Sequence, residues 1–343
     1  MPGPRAEATS RQEPRSFRVW YGTNREPIDR QDLSVGFGGR RERDPGTVHY
    51  GICEITIPAS HRFGSTGSTW WRRWLRRKDD RLKLGDICGL AAATFWGLLA
   101  KELSGRARSD RRALVYVHGF NVTFRDAAIR AAQIGCDLSE PGITAFFSWP
   151  SKGKPHEYPA DEASIEASEE AIADFLVGFA TRTRARQVNV VAYSMGNRGL
   201  LRALQRIRGR AERQSAVRFN QIFLAAPDVD ADLFRQLAVV YREFAKRTTL
   251  YASASDLAVG LSGWIHSAPR AGFTPPVTVV PGIDTVVVPD FDVDRLGHGY
   301  YAAAEAVLHD MFDLLQRNAA PARRQRLAAQ RIDESVRYWT MVR

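Results

Sequence analysis

One serine stands where a predicted strand turns directly into a predicted helix. Ser194 follows the apolar, β-branched run 188–192, which has the length of a buried parallel strand. Beyond it, apolar residues recur at helical spacing, namely Leu200, Leu201, Leu204 and Ile207. The small residues Ala192 and Gly196, two positions before and after the serine, let strand and helix approach and turn the hydroxyl outward. The pattern indicates a nucleophilic serine, and the alternative interpretation is a serine that caps a helix.

A carboxylate and a histidine that could activate this serine follow later predicted strands. Asp256 comes after the strand 248–252, and His298 lies between two glycines after the strand 285–288. Because reactive groups collect at the carboxyl ends of the strands in a parallel sheet, we expect the three side chains to meet there. A neutral histidine can take the serine proton, and a carboxylate can hold the ring in the right tautomer. These residues predict acyl transfer through a Ser-His-Asp triad.

The acid of this triad has an alternative one strand earlier. Asp228 and Asp230 follow the predicted strand 221–226, and Asp228 could instead cap a helix that begins near Asp230. We favour Asp256 because small residues precede it and could bring its carboxylate close to the His298 loop. Asp228 is the second choice and Asp230 the third.

The tetrahedral oxyanion of acyl transfer needs fixed hydrogen-bond donors. The backbone N–H of Met195 is one predicted donor, and that of Phe120, in a loop after the predicted strand 113–117, is the other. Four more residues are predicted to shape the site: His118, Gly119, Tyr193 and Gly196. The remaining histidines follow no predicted strand end: His49, His61, His156, His266 and, inside a predicted helix, His309.

Strands and helices alternate along most of the chain, which predicts an α/β fold with a mostly parallel sheet and helices on both faces. Two early strands, 16–21 and 48–57, predict an antiparallel N-terminal edge, and the apolar stretch 87–103 predicts a helix. Further helices are expected over about 123–136, from the loop 151–159 to about 181, over 231–244, from Asp256, and over 301–315. We expect a disordered N-terminus (1–15), one α/β-hydrolase domain (16–318) and a charged helical tail (319–343).

Composition argues against several function classes. A chain of 343 residues with 44% hydrophobic and 25% charged residues is typical of a soluble globular protein. The three cysteines, Cys53, Cys88 and Cys136, are far apart, which favours a reducing cytoplasm and argues against a zinc site. We therefore expect neither a metal nor a cofactor. The net charge of +11 comes mainly from scattered arginines without a nucleic-acid-binding motif, so we expect no nucleic-acid partner.

The stretch 68–78 combines three tryptophans, Trp70, Trp71 and Trp74, with five basic residues. Such a stretch could contact a membrane interface. We favour tryptophans that pack back onto the domain, because the stretch is short and two aspartates follow it. Membrane contact stays open as the alternative.

Seven short stretches carry a resemblance to a known family. They are 21–25 (YGTNR), 57–61 (IPASH), 114–121 (LVYVHGFN), 147–151 (FSWPS), 191–197 (VAYSMGN), 225–230 (AAPDVD) and 297–301 (GHGYY). Together they resemble the bacterial α/β-hydrolase family of unknown function, whose members are usually called esterase- or lipase-like. The likeness spans about 17–315 and implies the α/β-hydrolase fold, with Ser194 as nucleophile and His298 as base. This chain departs from the family pattern at Tyr193, where histidine is more common, and at Gly299, where serine is.

The residues and the resemblance predict a serine hydrolase that acts on a carboxylic ester or thioester. One alternative is a lipase or acyltransferase at a membrane surface, which the three tryptophans suggest. The other is a non-catalytic interaction protein that kept the fold, since fold alone does not imply function. The loops 151–159 and 267–281 have no substrate signature, so acyl-chain length and oligomeric state are not predicted.

Overall fold

The structure is a computed structural model that describes residues 14–44, 46–61, 63, 81–139, 141–210, 216–253, 268–288, 305–334 and 336–342. The tryptophan stretch 68–78 and the predicted triad members Asp256 and His298 lie outside these residues.

The described residues form strands and helices that alternate in the central part of the chain. The strands are β1 (Arg15–Thr23), β2 (Arg25–Pro27), β3 (Phe37–Arg41), β4 (His49–Ile57), β5 (Lys83–Leu90), β6 (Arg112–Val117), β7 (Ile143–Ser148), β8 (Gln187–Tyr193), β9 (Phe219–Ala225), β10 (Ala245–Ser253), β11 (Asp284–Val288), β12 (Leu327–Arg331) and β13 (Arg337–Met341). The helices are α1 (Ala92–Ser104), α2 (Phe124–Asp137), α3 (Tyr158–Glu166), α4 (Glu169–Arg182), α5 (Gly196–Arg208), α6 (Ala231–Leu237), α7 (Val239–Phe244) and α8 (Glu305–Arg317).

One 11-stranded sheet runs through the molecule in the order β12-β13-β11-β10-β9-β8-β6-β7-β1-β4-β5. From β7 to β11 every neighbouring pair is parallel, whereas β1, β4 and β5 pair antiparallel with one another at the N-terminal edge. Strands β2 and β3 form a separate ribbon. The carboxyl ends of β6 to β11 therefore lie together along one side of the sheet, and their amino ends lie together along the opposite side.

Helices cover both faces of this sheet, so its central strands are buried on both sides. Alternation along β6 shows the two layers. Val115 and Val117 belong to the core that packs beneath α1, α4 and α5, whereas Leu114 and Tyr116 belong to the core beneath α2 and α8. The predicted mixed sheet, with an antiparallel N-terminal edge and helices on both faces, is confirmed. Among the described residues, no helix has the length and apolar character needed to cross a bilayer.

The prediction of a helix over 87–103 is wrong in its first part. Lys83–Leu90 forms β5, and the helix α1 begins only at Ala92. Two glycines disfavour a helix here, and at one of them, Gly89, an added methyl would lie 2.7 Å from the Leu33 side chain. The backbone of this segment instead completes the sheet edge beside β4.

The predicted helical tail over 319–343 is also wrong, because β12 and β13 form an antiparallel pair. Strand β13 pairs with β11 and so extends the sheet. The buried Arg324 donates from Nε to Oδ1 of Asp310 in α8 at 2.8 Å, which anchors the segment before the pair. The many charged residues of this exposed edge hid the alternation of apolar and polar residues that is typical of a strand.

Two long predicted helices are each divided in two. A break at Ala167 and Ser168 separates α3 from α4, and a break at Ala238 separates α6 from α7. At the first break, the hydroxyl of Ser168 donates to the Ser164 carbonyl at 2.7 Å and accepts from Asn24 Nδ2 at 2.9 Å.

Candidate active site

The strand β8 turns into α5 within two residues, and Ser194 sits at the turn. Its φ of 50° is in the left-handed region, which non-glycine residues enter at an energetic cost. Three contacts fix this conformation. The N–H of Ser194 donates to the Ala225 carbonyl at 2.9 Å, and its carbonyl accepts from the N–H groups of Asn197 at 3.0 Å and Asp228 at 3.2 Å. The turn is thus held from the neighbouring strand β9 and from its own helix.

The side chain of Asn197 links three backbone carbonyls around the turn. Its Nδ2 lies 3.2 Å from the Ala192 carbonyl, 3.0 Å from the Ser194 carbonyl and 3.2 Å from the Ala225 carbonyl. Asn197 is fully buried, so no water competes for these carbonyls. Sequence reasoning did not single out this residue, although it follows the serine by one turn in the matched stretch 191–197.

Small residues bring the loop after β6 against the serine. A Cβ on Gly119 would lie 2.9 Å from Cβ of Ser194 and 3.0 Å from Cδ1 of Tyr193. A Cβ on Gly196 would lie 2.4 Å from the His118 carbonyl. Only hydrogen fits at either glycine, so the loop that carries Phe120 and the turn that carries Met195 are in direct contact.

His118 is fully buried and packs against Trp149 behind the serine turn. Its plane stacks on Trp149 with ring centroids 4.8 Å apart, and Trp149 Nε1 donates to the His118 carbonyl at 2.7 Å. The ring nitrogen Nδ1 lies 2.8 Å from the Gly119 carbonyl, and Nε2 lies 3.3 Å from Nη2 of Arg25. Burial, and then the charge of Arg25, lower the pKa of His118 to about 3. The ring is therefore neutral at physiological pH, as a shaping role requires.

Arg25 lies behind this loop, 1% exposed, and joins four segments of the chain. Burial lowers its pKa to about 9, so the guanidinium still carries its charge at neutral pH. Its nitrogens donate to Ser148 Oγ (2.8 Å) and to the carbonyls of Gly38 (3.0 Å), Ser151 (2.8 Å) and Val122 (2.8 Å). The planar fork of arginine can serve such divergent acceptors, whereas a lysine ammonium cannot.

Asp161 in α3 holds the same loop from the other side. This fully buried carboxylate accepts from Ser151 Oγ at 2.5 Å, from the N–H of Lys152 at 2.8 Å and from the N–H of Asn121 at 3.3 Å. Burial raises its pKa, while those hydrogen bonds act in the opposite direction. The sequence did not reveal the roles of Arg25 and Asp161 in holding the loop beside Ser194, because their partners are remote along the chain.

The alternative acid, Asp228, lies close to the serine through its backbone. Its buried carboxylate accepts from Tyr158 Oη at 2.5 Å, and the other oxygen is 3.5 Å from Nε of Arg270. The idea that Asp228 caps the following helix is wrong. Asp230 is the cap of α6, since its carboxylate accepts from the N–H groups of Asp232 at 3.0 Å and Leu233 at 2.9 Å. Asp230 is thereby occupied at the start of α6.

The structure brings together the predicted Ser194, Met195, Phe120, His118, Gly119, Tyr193 and Gly196. Asp256 and His298 follow β10 and β11, whose carboxyl ends lie at the same sheet edge, but both residues are outside the described ranges.

One cluster of potential metal ligands occurs in the described residues, away from the serine. His61, Cys136 and Asp137 each offer a ligand atom, and these atoms lie within 4.8 Å of one another. Nε2 of His61 is 2.6 Å from Oδ1 of Asp137, and Arg15 donates to Cys136 Sγ at 2.5 Å. The guanidinium supplies a positive charge where a cation would sit. These separated residues showed no metal-binding spacing in the sequence.

Comparisons with known proteins identify a family and a set of distant structural relatives. The model of an α/β-hydrolase family of unknown function (DUF900) matches residues 97–317. No curated protein sequence matches the chain.

Three solved structures illustrate the distant relatives. A predicted CIB-like hydrolase from Thermoplasma acidophilum is 18% identical, with a TM-score of 0.38, over 62% of this chain and 90% of that one. The Pyrobaculum calidifontis esterase is 11% identical, with a TM-score of 0.35, over 78% and 81%. A thermostable carboxylesterase cloned from a metagenomic library is 11% identical, with a TM-score of 0.33, over 89% and 87%. Likenesses this low carry no argument about activity.

Proposed function

The chain belongs to the α/β-hydrolase family of unknown function, and we propose that it cleaves a carboxylic ester or thioester through an acyl-enzyme on Ser194. The single observation that carries the proposal is the turn at Ser194. Its left-handed φ of 50° is maintained by three backbone hydrogen bonds and by contact with Gly119. A serine that only capped a helix would need none of this strain, whereas a nucleophile needs its hydroxyl presented at a sharp turn.

The proposed reaction has two halves. Ser194 Oγ attacks the substrate carbonyl carbon while His298 takes the hydroxyl proton, and Asp256 stabilises the imidazolium that forms. The N–H groups of Met195 and Phe120 donate to the oxyanion, and collapse expels the alcohol or thiol with the proton from His298. Water, deprotonated by the same histidine, then attacks the acyl-enzyme carbonyl; the bond to Ser194 Oγ breaks, Oγ regains the proton from His298, and the acid is released.

The contact between the loop and the turn supports this assignment of the oxyanion donors. Met195 precedes α5 directly, so its N–H lies at the positive end of that helix. Phe120 is held in a loop that Arg25 and Asp161 fix from two sides. Donors that are fixed before the reaction need no rearrangement as charge develops on the oxygen.

The test is labelling by a fluorophosphonate probe together with turnover of short p-nitrophenyl esters. Ser194→Ala should abolish labelling and lower ester turnover by roughly 10³-fold or more, as the loss of a triad nucleophile does in other enzymes. Ser253→Ala is the matched control, because it removes another buried hydroxyl at the carboxyl end of β10, two strands away from β8. Equal labelling of wild type and Ser194→Ala would exclude the proposed nucleophile. Absence of labelling in a folded wild type would favour the non-catalytic alternative.

For the acid we propose Asp256, with Asp228 as the alternative. Both oxygens of Asp228 already face polar groups, Tyr158 and Arg270, so an imidazole would have to displace one of them. Asp256 follows β10, which lies between β9 and β11, and β11 is the strand that precedes His298.

The two candidates can be separated by measuring kcat and melting temperature for Asp256→Asn and Asp228→Asn. We expect Asp256→Asn to lower kcat by about 10⁴-fold with little change in melting temperature, because the histidine then rests in the wrong tautomer. Asp228→Asn should mainly lower the melting temperature. A severe loss of kcat confined to Asp228→Asn would assign the acid to the earlier strand.

A further inference from the structure

A cavity lies at the amino ends of the parallel strands, on the opposite side of the sheet from the carboxyl ends where Ser194 stands. It has a volume of about 780 Å³ and is lined by residues at or beside the amino ends of β6, β8, β9 and β10. Since these strands are parallel, the serine stands at their carboxyl ends and the cavity at the other end of the same strands. Its size is in the range of small-ligand sites.

The lining of this cavity is strongly cationic. Six of its residues carry a positive charge: Arg108, Arg112, Arg186, Arg218, Arg242 and Lys246. Its lining includes one carboxylate, Glu243, which lies 3.3 Å from Nε of Arg208 outside the cavity. Among the described lining residues, the positive charges therefore outnumber the negative ones by six to one.

Most of these cations have no acidic partner in the part of the chain that the structure describes. Within the described part of the chain, Arg108, Arg186, Arg242 and Lys246 take part in no ion pair. Arg112 is held in place, since its Nε donates to the Ser109 carbonyl at 2.9 Å.

A second cavity shows that this imbalance is local. The cavity of about 330 Å³ beside α3 and α5 combines Arg198, Arg202 and Arg270 with Glu162, Glu166 and Asp230. There the charges balance, and Arg198 Nη1 donates to Glu162 at 2.5 Å. A chain-wide preference for arginine would enrich both cavities, but it does not explain why acids are paired in one and nearly absent from the other.

We propose that the cationic cavity binds a small, multiply charged phosphate compound, such as a nucleoside triphosphate or inorganic polyphosphate. Several guanidinium groups around one cavity call for an anion with several charges, and the arginine fork matches phosphate oxygens in a bidentate manner. A single carboxylate would neutralise only one of six cations. The proposal is independent of the ester chemistry, because the cavity shares no residue with the Ser194 site.

Calorimetric titration with inorganic triphosphate and with ATP tests the proposal. We expect saturable one-to-one binding with a dissociation constant below about 1 mM at physiological salt. The double variant Arg186→Gln/Arg242→Gln should weaken that binding at least tenfold. The matched control is Arg323→Gln/Arg331→Gln, which removes the same charge from exposed arginines near β12, at the far edge of the sheet.

A third arm uses vesicles with and without a phosphoinositide, to separate a free phosphate compound from a lipid headgroup. Saturable binding of either free probe, lost in the cavity variant and kept in the control, supports the proposal. Binding to vesicles without binding of either free probe overturns it. Equal weakening in the two double variants also overturns it, since general charge attraction would then explain the result. Ester turnover should be unchanged in both variants.

Discussion

The two ends of the same parallel strands use arginine in opposite ways. At the carboxyl end, Arg25 is buried and donates to four acceptors, two in the strands β3 and β7 and two in the loops after β6 and β7. At the amino end, four of the five arginines of the cationic cavity are exposed, and several have no acidic partner among the described residues. The N–H groups of Arg25 are used in hydrogen bonds within the protein. The exposed arginines of the cationic cavity keep N–H groups that a ligand can reach.

The net charge of a chain therefore says little about where its charge can act. A buried guanidinium is expensive unless every donor is used, so Arg25 serves the architecture of the site and has nothing left for a ligand. Exposed guanidiniums cost little and contribute little to folding, so their accumulation around one cavity points to a binding role.

Replacement of Arg25 should give the largest effect on stability. Arg25→Gln leaves buried carbonyls without donors, and we expect the free energy of unfolding to fall by about 3–5 kcal/mol, as when a buried charged contact is broken. Arg186→Gln should change it by less than about 0.5 kcal/mol, the usual range for an exposed position. Urea unfolding at neutral pH measures both.

Arg25→Lys separates the charge of Arg25 from the geometry of its guanidinium group. A lysine keeps the charge but offers one compact ammonium in place of a planar fork, so it should not restore the stability. If Arg25→Lys had the stability of the wild type, the charge of Arg25 and not its hydrogen-bond geometry would stabilise the fold. The contrast between Arg25 and the cavity arginines would then not depend on geometry.

The burial of His118, together with the nearby charge of Arg25, predicts a pH dependence at the carboxyl end. The pKa of His118 is lowered to about 3, so between pH 6.5 and 3 the unfolded chain binds a proton that the folded chain does not. The stability that depends on the neutral ring is therefore complete above pH 6.5 and is lost as the pH falls, by up to about 1.4 kcal/mol per pH unit.

The measurement compares urea unfolding of wild type and His118→Gln from pH 7 downward. The variant should show the shallower slope, because the carboxylates that titrate in this range are common to both proteins. His156→Gln is the control, since its ring is exposed and its removal should leave the wild-type slope. Parallel slopes in wild type and His118→Gln would contradict a neutral, buried His118.

The serine turn could be predicted from sequence because its determinants are local. An apolar strand, two small residues and a helical repeat lie within about fifteen residues around Ser194. Most of the parallel core was predictable for the same reason, since each buried strand is a short apolar run next to an amphipathic helix.

Determinants that act across the chain could not be predicted. Arg25 reaches the carbonyls of Val122 and Ser151, about a hundred residues or more along the chain, and Asp161 binds an N–H forty residues earlier. Strand β5 and the pair β12–β13 lie at the outer edges of the sheet, where strand propensity is a weak signal in the sequence. The apolar helix that follows β5 dominated the sequence pattern there, and the many charges of β12–β13 hid their strand pattern. The cationic cavity draws its residues from the starts of four strands, and only the sheet order brings them together.

The smallest expected effect concerns the cationic cavity. Its arginines repel one another in the absence of a ligand, so Arg186→Gln/Arg242→Gln should raise the free energy of unfolding slightly at low salt, by up to about 0.5 kcal/mol. At about 1 M sodium chloride the Debye length is only about 3 Å, and the gain should disappear. Urea unfolding at the two salt concentrations, with Arg323→Gln/Arg331→Gln as control, measures the difference. A loss of stability in the cavity variant that persists in high salt would mean that these arginines hold the fold together as Arg25 does, and the two ends of the sheet would then not differ.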